Sequence, residues 1–330
     1  MSGGKIALLI VGILLGLFVV MFGFVAMMKS ALGLSGSSGE LIYPSEEYIG
    51  RVMIVGEIGA YDDPYTSSYE SYHHNFTMNA IDDMMYDSLN RGLFLYVDTP
   101  GGTVYESDAL YLKILEYQEV TGRPVYVYMG SMAASGGYYI SANADKIYAN
   151  RNCWTGSIGV VVGTLFDVSG FLEQHGIKAE NITSGANKSM GGYFEPMTEE
   201  QRAIFQSLVD EAFDQFVGIV ADGRDMTEEE VRKIADGRIY TASQAEEIGL
   251  IDGICAEEDA LYELLDLAGD TGMRVFDVEY TADTSVLGLL AQGEAEQADA
   301  KYDGLPSDIA AVLKLAEGSG EVPIKYLYEG

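Results

Sequence analysis

Basic residues are scarce in this chain: 19 Lys and Arg stand against 51 Asp and Glu in 330 residues, a formal net charge of −32. That balance lacks the basic footprint a nucleic acid needs and argues against docking on an anionic bilayer surface. The acidic clusters, such as Glu228-Glu229-Glu230 and Glu257-Glu258-Asp259, read as solvated helix faces and first helical turns. Only two cysteines are present, Cys153 and Cys255, which excludes a disulfide scaffold. Whether the two pair is left open, since pairing requires that folding bring them together. Three histidines leave little imidazole for catalysis. His73 and His74 fall in a polar, tyrosine-rich stretch, 61–76, which reads as a long surface loop with solvated histidines. No Cys or carboxylate stands near them at a ligand spacing, so no metal site is expected. His175, followed by glycine, resembles a polar helix C-terminus.

One long apolar run is present. Residues 6–28 carry no charge, and at 1.5 Å rise per residue they span a hydrocarbon core of about 30 Å. The apolar region of a cleaved signal peptide is ~7–15 residues and ends in small residues. Here Met27-Met28-Lys29 follows instead, so an uncleaved anchor is expected. Lys5 before the run and Lys29 after it nearly balance, and the positive-inside rule leans toward the N-terminus inside. The large domain then lies outside the cytoplasm. A Ser/Gly-rich linker follows. The expected organisation is an anchor over 1–29, a linker over 30–47, a main domain over 48–256 and an acidic extension over 257–330.

Beyond the linker, apolar runs alternate with helical spacing. Strand-like runs at 49–58, 93–97 and 124–129 are separated by helical patterns at 78–89 and 106–120. The run Leu93-Phe94-Leu95-Tyr96-Val97 is continuously apolar, as in strands buried on both faces. This predicts βαβ units and a largely parallel sheet with ligands at the carboxyl ends of its strands. Further strands are predicted at 146–149, 155–162 and 177–183. Thr198-Glu199-Glu200-Gln201 reads as a capping box opening a long helix. The tail contains strand-like runs at 274–280 and 322–328, with no chemistry legible in either.

Two stretches carry candidate chemistry. In Gly130-Ser131-Met132-Ala133-Ala134-Ser135-Gly136-Gly137-Tyr138-Tyr139, Ser135 sits where a strand turns into a helix, between small residues that let a substrate approach the backbone. Taken alone, the stretch reads first as a small-residue turn with serine as N-cap. Pro100-Gly101-Gly102 ends a neighbouring predicted strand. With no histidine in a suitable context, lysine is the other known base for serine, and it must be desolvated to act as one. Lys188, in Gly185-Ala186-Asn187-Lys188-Ser189-Met190-Gly191-Gly192, has no carboxylate close in sequence. Its alternative is an exposed loop lysine.

Asp98-Thr99-Pro100-Gly101-Gly102, the Ser135 stretch, Thr155-Gly156-Ser157-Ile158-Gly159, the Lys188 loop and Asp236-Gly237-Arg238-Ile239-Tyr240 resemble, in order, the motifs of the S49 serine peptidases of the signal peptide peptidase A type. The resemblance runs from about Ile49 to Gly253 and fits the short, single-repeat form. It implies an α/β fold of the ClpP/crotonase kind, with repeated β-β-α and βαβ units, behind one transmembrane helix. Carried over, Ser135 is the nucleophile and Lys188 the general base. Ser157 orients that base, and the N–H groups of Gly102 and Gly136 form the oxyanion hole. No metal or other cofactor is implied. The family implies a membrane-anchored endopeptidase that degrades remnant signal peptides, assembled as a homo-oligomeric ring with sites near protomer interfaces. Alternatives are a related ClpP-like protease acting on a specific membrane protein, and a degenerate peptidase serving as a membrane scaffold.

Overall fold

A computed structural model describes residues 41–59, 72–280 and 325–327. The expected anchor at 6–28 lies outside them. Among the described residues no helix is long and apolar enough to cross a membrane.

The chain begins with β1 (Tyr48–Val55), α1 (His74–Tyr86), β2 (Asn90–Thr99), the short β3 (Gly101–Thr103) and α2 (Val104–Thr121). It continues with β4 (Val125–Ala134), α3 (Gly136–Ser141), β5 (Lys146–Ala149), β6 (Trp154–Gly156), α4 (Ser169–Gln174) and α5 (Glu199–Gly223). Then follow α6 (Glu228–Ile234), β7 (Ile239–Thr241), α7 (Ala242–Glu247), β8 (Gly253–Ile254), α8 (Glu257–Leu267), β9 (Arg274–Val278) and β10 (Lys325–Leu327). The main sheet runs β7-β6-β4-β2-β1-β9, with β5 beside β4 and β8 beside β5. Its pairs are parallel except β6 with β7. The carboxyl ends of β2 and β4 therefore meet at one edge, where open α/β sheets bind ligands.

The apolar runs make β2 and β4 central because both faces are covered. Side chains alternate with period two. Leu93, Leu95, Val97, Val125, Val127 and Met129 enter the main core with Ile81, Ile114 and Phe216. Phe94, Tyr126 and Tyr128 point the other way, onto Ala260, Leu264 and Leu265 of α8. The tyrosines on that second face keep a polar tip at the rim: Tyr126 OH donates to Glu263 Oε1 (3.3 Å) and Tyr148 OH to Glu263 Oε2 (2.6 Å). The capping box at Thr198 forms as predicted, and a second one opens α6 at Thr227.

Several expectations change. His73 and His74 are buried at the head of α1, with Tyr72 OH 2.7 Å from His74 Nδ1 and the His73 ring stacked on Tyr280. The helix starts four residues earlier than its apolar spacing suggested, because its first turn is closed by aromatic packing from β9's end. The stretch 157–168 holds no strand beyond an isolated bridge at Val161, and 177–183 holds none. Ser157, at φ +50°, turns the chain out of the sheet, and β6 already has β4 and β7 as neighbours. Valines express a strand preference only where an edge is free. The extension beyond 257 is partly structural: α8 covers one face and β9 is the edge strand beside β1. β10 pairs antiparallel with β3 in a separate two-stranded sheet.

Candidate active site

Ser135 stands between the last residue of β4 and the first of α3. Its backbone lies at φ +53°, ψ −113°, a region that costs a non-glycine residue about 1–3 kcal/mol and persists only when its surroundings hold it. Hydrogen bonds on both sides do so. Ser135 N–H donates to Gly156 O (2.8 Å), and Ser135 O accepts from Tyr139 N–H (2.9 Å). The residue is 1% exposed. The small residues have a specific reason here: a Cβ on Gly137 would lie 2.6 Å from Thr99 Cγ2.

The glycine loop after β2 closes against this turn. Thr99 Oγ1 accepts from Gly101 N–H (3.0 Å), and Ile58 backbone groups bracket Gly102 so tightly that a Cβ there would overlap the Ile58 carbonyl. A Cβ on Gly136 would lie 3.1 Å from Gly102 N, 3.2 Å from Gly101 Cα and 2.6 Å from Ser107 Oγ. Gly102 and Gly136 are thus neighbours across the carboxyl ends of β2 and β4. The first N–H groups of α3, Gly136 among them, have no partner within the helix, which leaves them available to a developing oxyanion.

Two residues here were given no role by the sequence, Ser107 outside every motif and Asp98 as the first residue of the glycine-loop motif. Ser107 is fully buried, and its Oγ has no hydrogen-bond partner. The available signal was its place as the small polar residue on the face of α2 that carries Leu110, Tyr111 and Ile114. Asp98 accepts from Ser131 N–H (3.1 Å), Ser131 Oγ–H (2.7 Å) and Met132 N–H (3.1 Å). It holds the irregular pairing of β2 with β4 that aims the chain toward Ser135. Ser131 is exposed and Met132 half-buried, so water takes over the freed amides, and Asp98→Ala is expected to cost about 0.5–1.5 kcal/mol. Thermal unfolding should show a Tm drop of several degrees, with lower activity; an unchanged Tm would remove Asp98 from this role.

Ser157 follows Gly156, whose carbonyl holds Ser135, and is 6% exposed with its N–H donated to Arg238 O (2.8 Å). It opens onto a cleft of about 570 Å³ lined by Ile158, Val209, Phe213, Asp236 and Gly237. Lys188 is exposed, and among the described residues no hydrogen bond or ion pair engages its ammonium. Its loop is tied to the start of α5 through Asn187 Nδ2–H to Glu200 Oε1 (3.2 Å). That helix meets α3 at Gln215, whose Nε2–H donates to Tyr139 OH (2.7 Å). Glu200 and Gln215 are fifteen positions apart, about 22 Å along a helix axis. One chain thus gathers Ser135, Gly102, Gly136 and Ser157 but does not bring Lys188 to them.

Both cysteines are free. Burial, with the Asp98 charge as a smaller cause, pushes the Cys153 thiol up to about 12. Since the thiolate is the reactive form, Cys153 should resist iodoacetamide at pH 8 in the folded protein and react after denaturation. The stability from keeping this thiol protonated is present below its unfolded pKa of about 8.5 and is lost as pH rises toward the folded value. Alkylation mapped by mass spectrometry checks this; rapid folded-state labelling of Cys153 would contradict it.

A strained serine at a strand-to-helix turn, beside close-packed glycine amides, is the layout of a serine hydrolase built for acyl transfer. The family model for peptidase family S49 matches residues 118–270. A candidate signal peptide peptidase SppA of Enterococcus faecium is 37% identical over 241 residues, 73% of this chain and 69% of that protein. A candidate protease of Methanocaldococcus jannaschii is 33% identical over 282 residues, covering 84% and 88%. Protease 4 of Haemophilus influenzae is 33% identical over 240 residues, which is 69% of this chain but 38% of that longer protein. The chain belongs to peptidase family S49 and is a serine peptidase. Among solved structures, a ClpP1 mutant from Listeria monocytogenes matches with a TM-score of 0.38 at 15% identity, covering 64% of this chain and 94% of that one, a likeness too loose to argue from.

Proposed function

We propose that this peptidase is membrane-anchored through residues 6–28, with its catalytic domain outside the cytoplasm, and that it degrades remnant signal peptides and other apolar peptides. Ser135 is the nucleophile and Lys188 the general base. Neutral Lys188 takes the Ser135 proton as Oγ attacks the substrate carbonyl, and the N–H groups of Gly102 and Gly136 hold the oxyanion. Ser157 orients the lysine amine. The proton then passes to the leaving amine, and water repeats the sequence on the acyl-enzyme. The observation that carries this reading is the strained Ser135 turn packed on Gly102 and Gly136.

The base reaches the serine in an assembly. An exposed Lys188 in one chain, far along α5 from the nucleophile helix, supports a homo-oligomeric ring in which a neighbour's loop completes each site. The apolar row Ile204, Phe205, Leu208 and Val209 on α5 supports it too, since it is only partly covered in one chain and Leu208 is 38% exposed. Burial by a neighbour would also remove the water that keeps a lysine charged.

A fluorophosphonate probe tests the nucleophile. Labelling is expected at Ser135 and absent in Ser135→Ala; labelling elsewhere, or none, would overturn the assignment. Protease added to intact cells tests the topology: the domain should be digested, and full protection until lysis would put it inside.

A further inference from the structure

Tyr139 is fully buried about one turn into α3, and its N–H donates to Ser135 O (2.9 Å). Its hydroxyl reaches out of that helix. It donates to Asp108 Oδ1 (2.6 Å), about one turn into α2, the helix that begins directly after the glycine loop. Gln215 on α5 closes the arrangement, its Nε2–H groups donating to Asp108 Oδ1 (2.8 Å) and to Tyr139 OH (2.7 Å). Three side chains from three helices thus form a closed polar ring. The aromatic ring of Tyr139 packs between the same helices, 5.4 Å from the Tyr111 ring of α2 and 4.9 Å from the Phe216 ring of α5.

These bonds fall where the sheet stops helping. β2 and β4 pair irregularly between Val97 and Thr99, and the last pair of their ladder is Thr99 with Ala133. Beyond it the glycine loop runs on into α2 and the Ser135 turn into α3. The spacing of the Gly102 and Gly136 amides is then set by how these two helices sit on each other. Aromatic packing alone sets it loosely, because ring pairs accept centroid separations of about 4.5–7 Å. Hydrogen bonds are directional and weaken steeply off axis. Gln215 is exposed and Asp108 half-buried, so water can satisfy both in the unfolded or the loosened protein. The three bonds therefore add little net stability, and their consequence is geometric.

We propose that Tyr139, held by Asp108 and Gln215, is a positioning residue of the oxyanion hole: its hydroxyl fixes α2 against α3 so that the Gly102 and Gly136 amides converge on one oxygen. This role rests on those read above for Ser135 and the two glycines. Oxyanion donors leave little room for error, since a displacement of about 1 Å can cost about 10²-fold in rate. Their strongest contacts are made to charge that develops only in the transition state. Loosening the contact of α2 with α3 thus weakens the transition state and leaves ground-state binding in place.

Tyr139→Phe and Gln215→Glu test it beside the unaltered chain. Phenylalanine keeps the ring between Tyr111 and Phe216 and leaves Asp108 to Gln215 and water. On one apolar fluorogenic peptide its kcat should fall about five- to tenfold, the worth of one hydrogen bond, with KM held within about twofold. A peptide boronic acid, whose boron takes the Ser135 oxygen and carries a hydroxyl into the hole, should lose affinity by the same factor as kcat/KM. Gln215→Glu sets a second carboxylate against Asp108 of α2 and Tyr139 of α3, with Glu211 one turn earlier on α5 as a further like charge. Like charges raise the pKa of such a pair. Below that pKa the pair shares a proton and the ring of bonds is made; above it both carboxylates are charged and the donor is lost. The ratio of Gln215→Glu to unaltered kcat should therefore lie near one in acid and fall toward the Tyr139→Phe value as pH rises, which a merely stabilising contact does not produce. Full kcat in Tyr139→Phe overturns the proposal, as does boronate affinity that holds while kcat falls, or a Gln215→Glu ratio that is flat with pH. Where the fluorophosphonate probe labels Ser135 in the unaltered chain, these outcomes count against Tyr139 alone; where it does not, the reading of the site fails and the role of Tyr139 with it.

Discussion

Ser135→Ala and Lys188→Ala should each be inactive alone, with kcat/KM reduced by about 10⁴-fold or more, as when a nucleophile or its base is deleted in other serine peptidases. Mixed and allowed to exchange subunits, the two inactive proteins should regain measurable activity. If the serine of one chain is served by the lysine of its neighbour, a mixed ring contains some sites with an intact Ser135 beside an intact Lys188. The structure motivates this directly, because the Lys188 ammonium is exposed and unengaged among the described residues while Ser135 is buried. Lys188→Arg should be as inactive as the alanine variant, since a guanidinium stays charged and accepts no proton. Ser157→Ala should lose less than either, because it misplaces the base rather than deleting it. Chain mixing followed by peptide hydrolysis is the measurement. Near wild-type turnover by Lys188→Ala would end the dyad assignment. Inactive variants that exchange subunits without recovering activity would restrict each dyad to a single chain.

Gly136→Ala should lower kcat by about 10²–10³-fold, the usual cost of one misplaced oxyanion donor, with KM changed little. The added Cβ has no room: it would meet Ser107 Oγ at 2.6 Å and Gly102 N at 3.1 Å, so it pushes apart the two amides that must converge. Ser107→Ala alone should be mild, since the hydroxyl it removes has no partner. In the double variant the worst contact is gone and part of the lost kcat should return. A positive interaction term of that kind is expected for residues in contact. Gly136→Ala with full kcat would show that the Gly136 amide plays no part in the transition state. Additive losses in the double variant would show that Ser107 does not set the spacing of the two glycines.

Much of this site was legible because it is local. A strand-to-helix turn crowded by Ala133, Ala134, Gly136 and Gly137 already marks a backbone that must be approached closely, and the structure gives Ser135 a positive φ at that point. The parallel alternation of β1, β2 and β4 followed from continuous apolar runs separated by helical spacing. The contact between Gly102 and Gly136 then followed from the rule that such strands end on one side. The burial of His73 and His74 was not legible: the stretch around them is rich in polar residues, and Tyr280, on which the His73 ring stacks, comes from beyond β9.

By itself, then, the sequence determined the α/β class, the nucleophile turn, the glycine loop and the helix cap at Thr198. Each of these depends on residues a few positions apart, whose periodicity and steric demands act before any distant partner arrives. Only the tertiary structure decided that valines 160–162 form no strand, that β9 closes the sheet's edge, that Asp98 anchors β4 and that β10 lies on β3. It also decided that Lys188 stands apart from Ser135 within one chain. These outcomes depend on which strand edges remain unpaired and which faces remain uncovered after the rest has packed, and such a quantity belongs to the assembled fold rather than to any stretch of it.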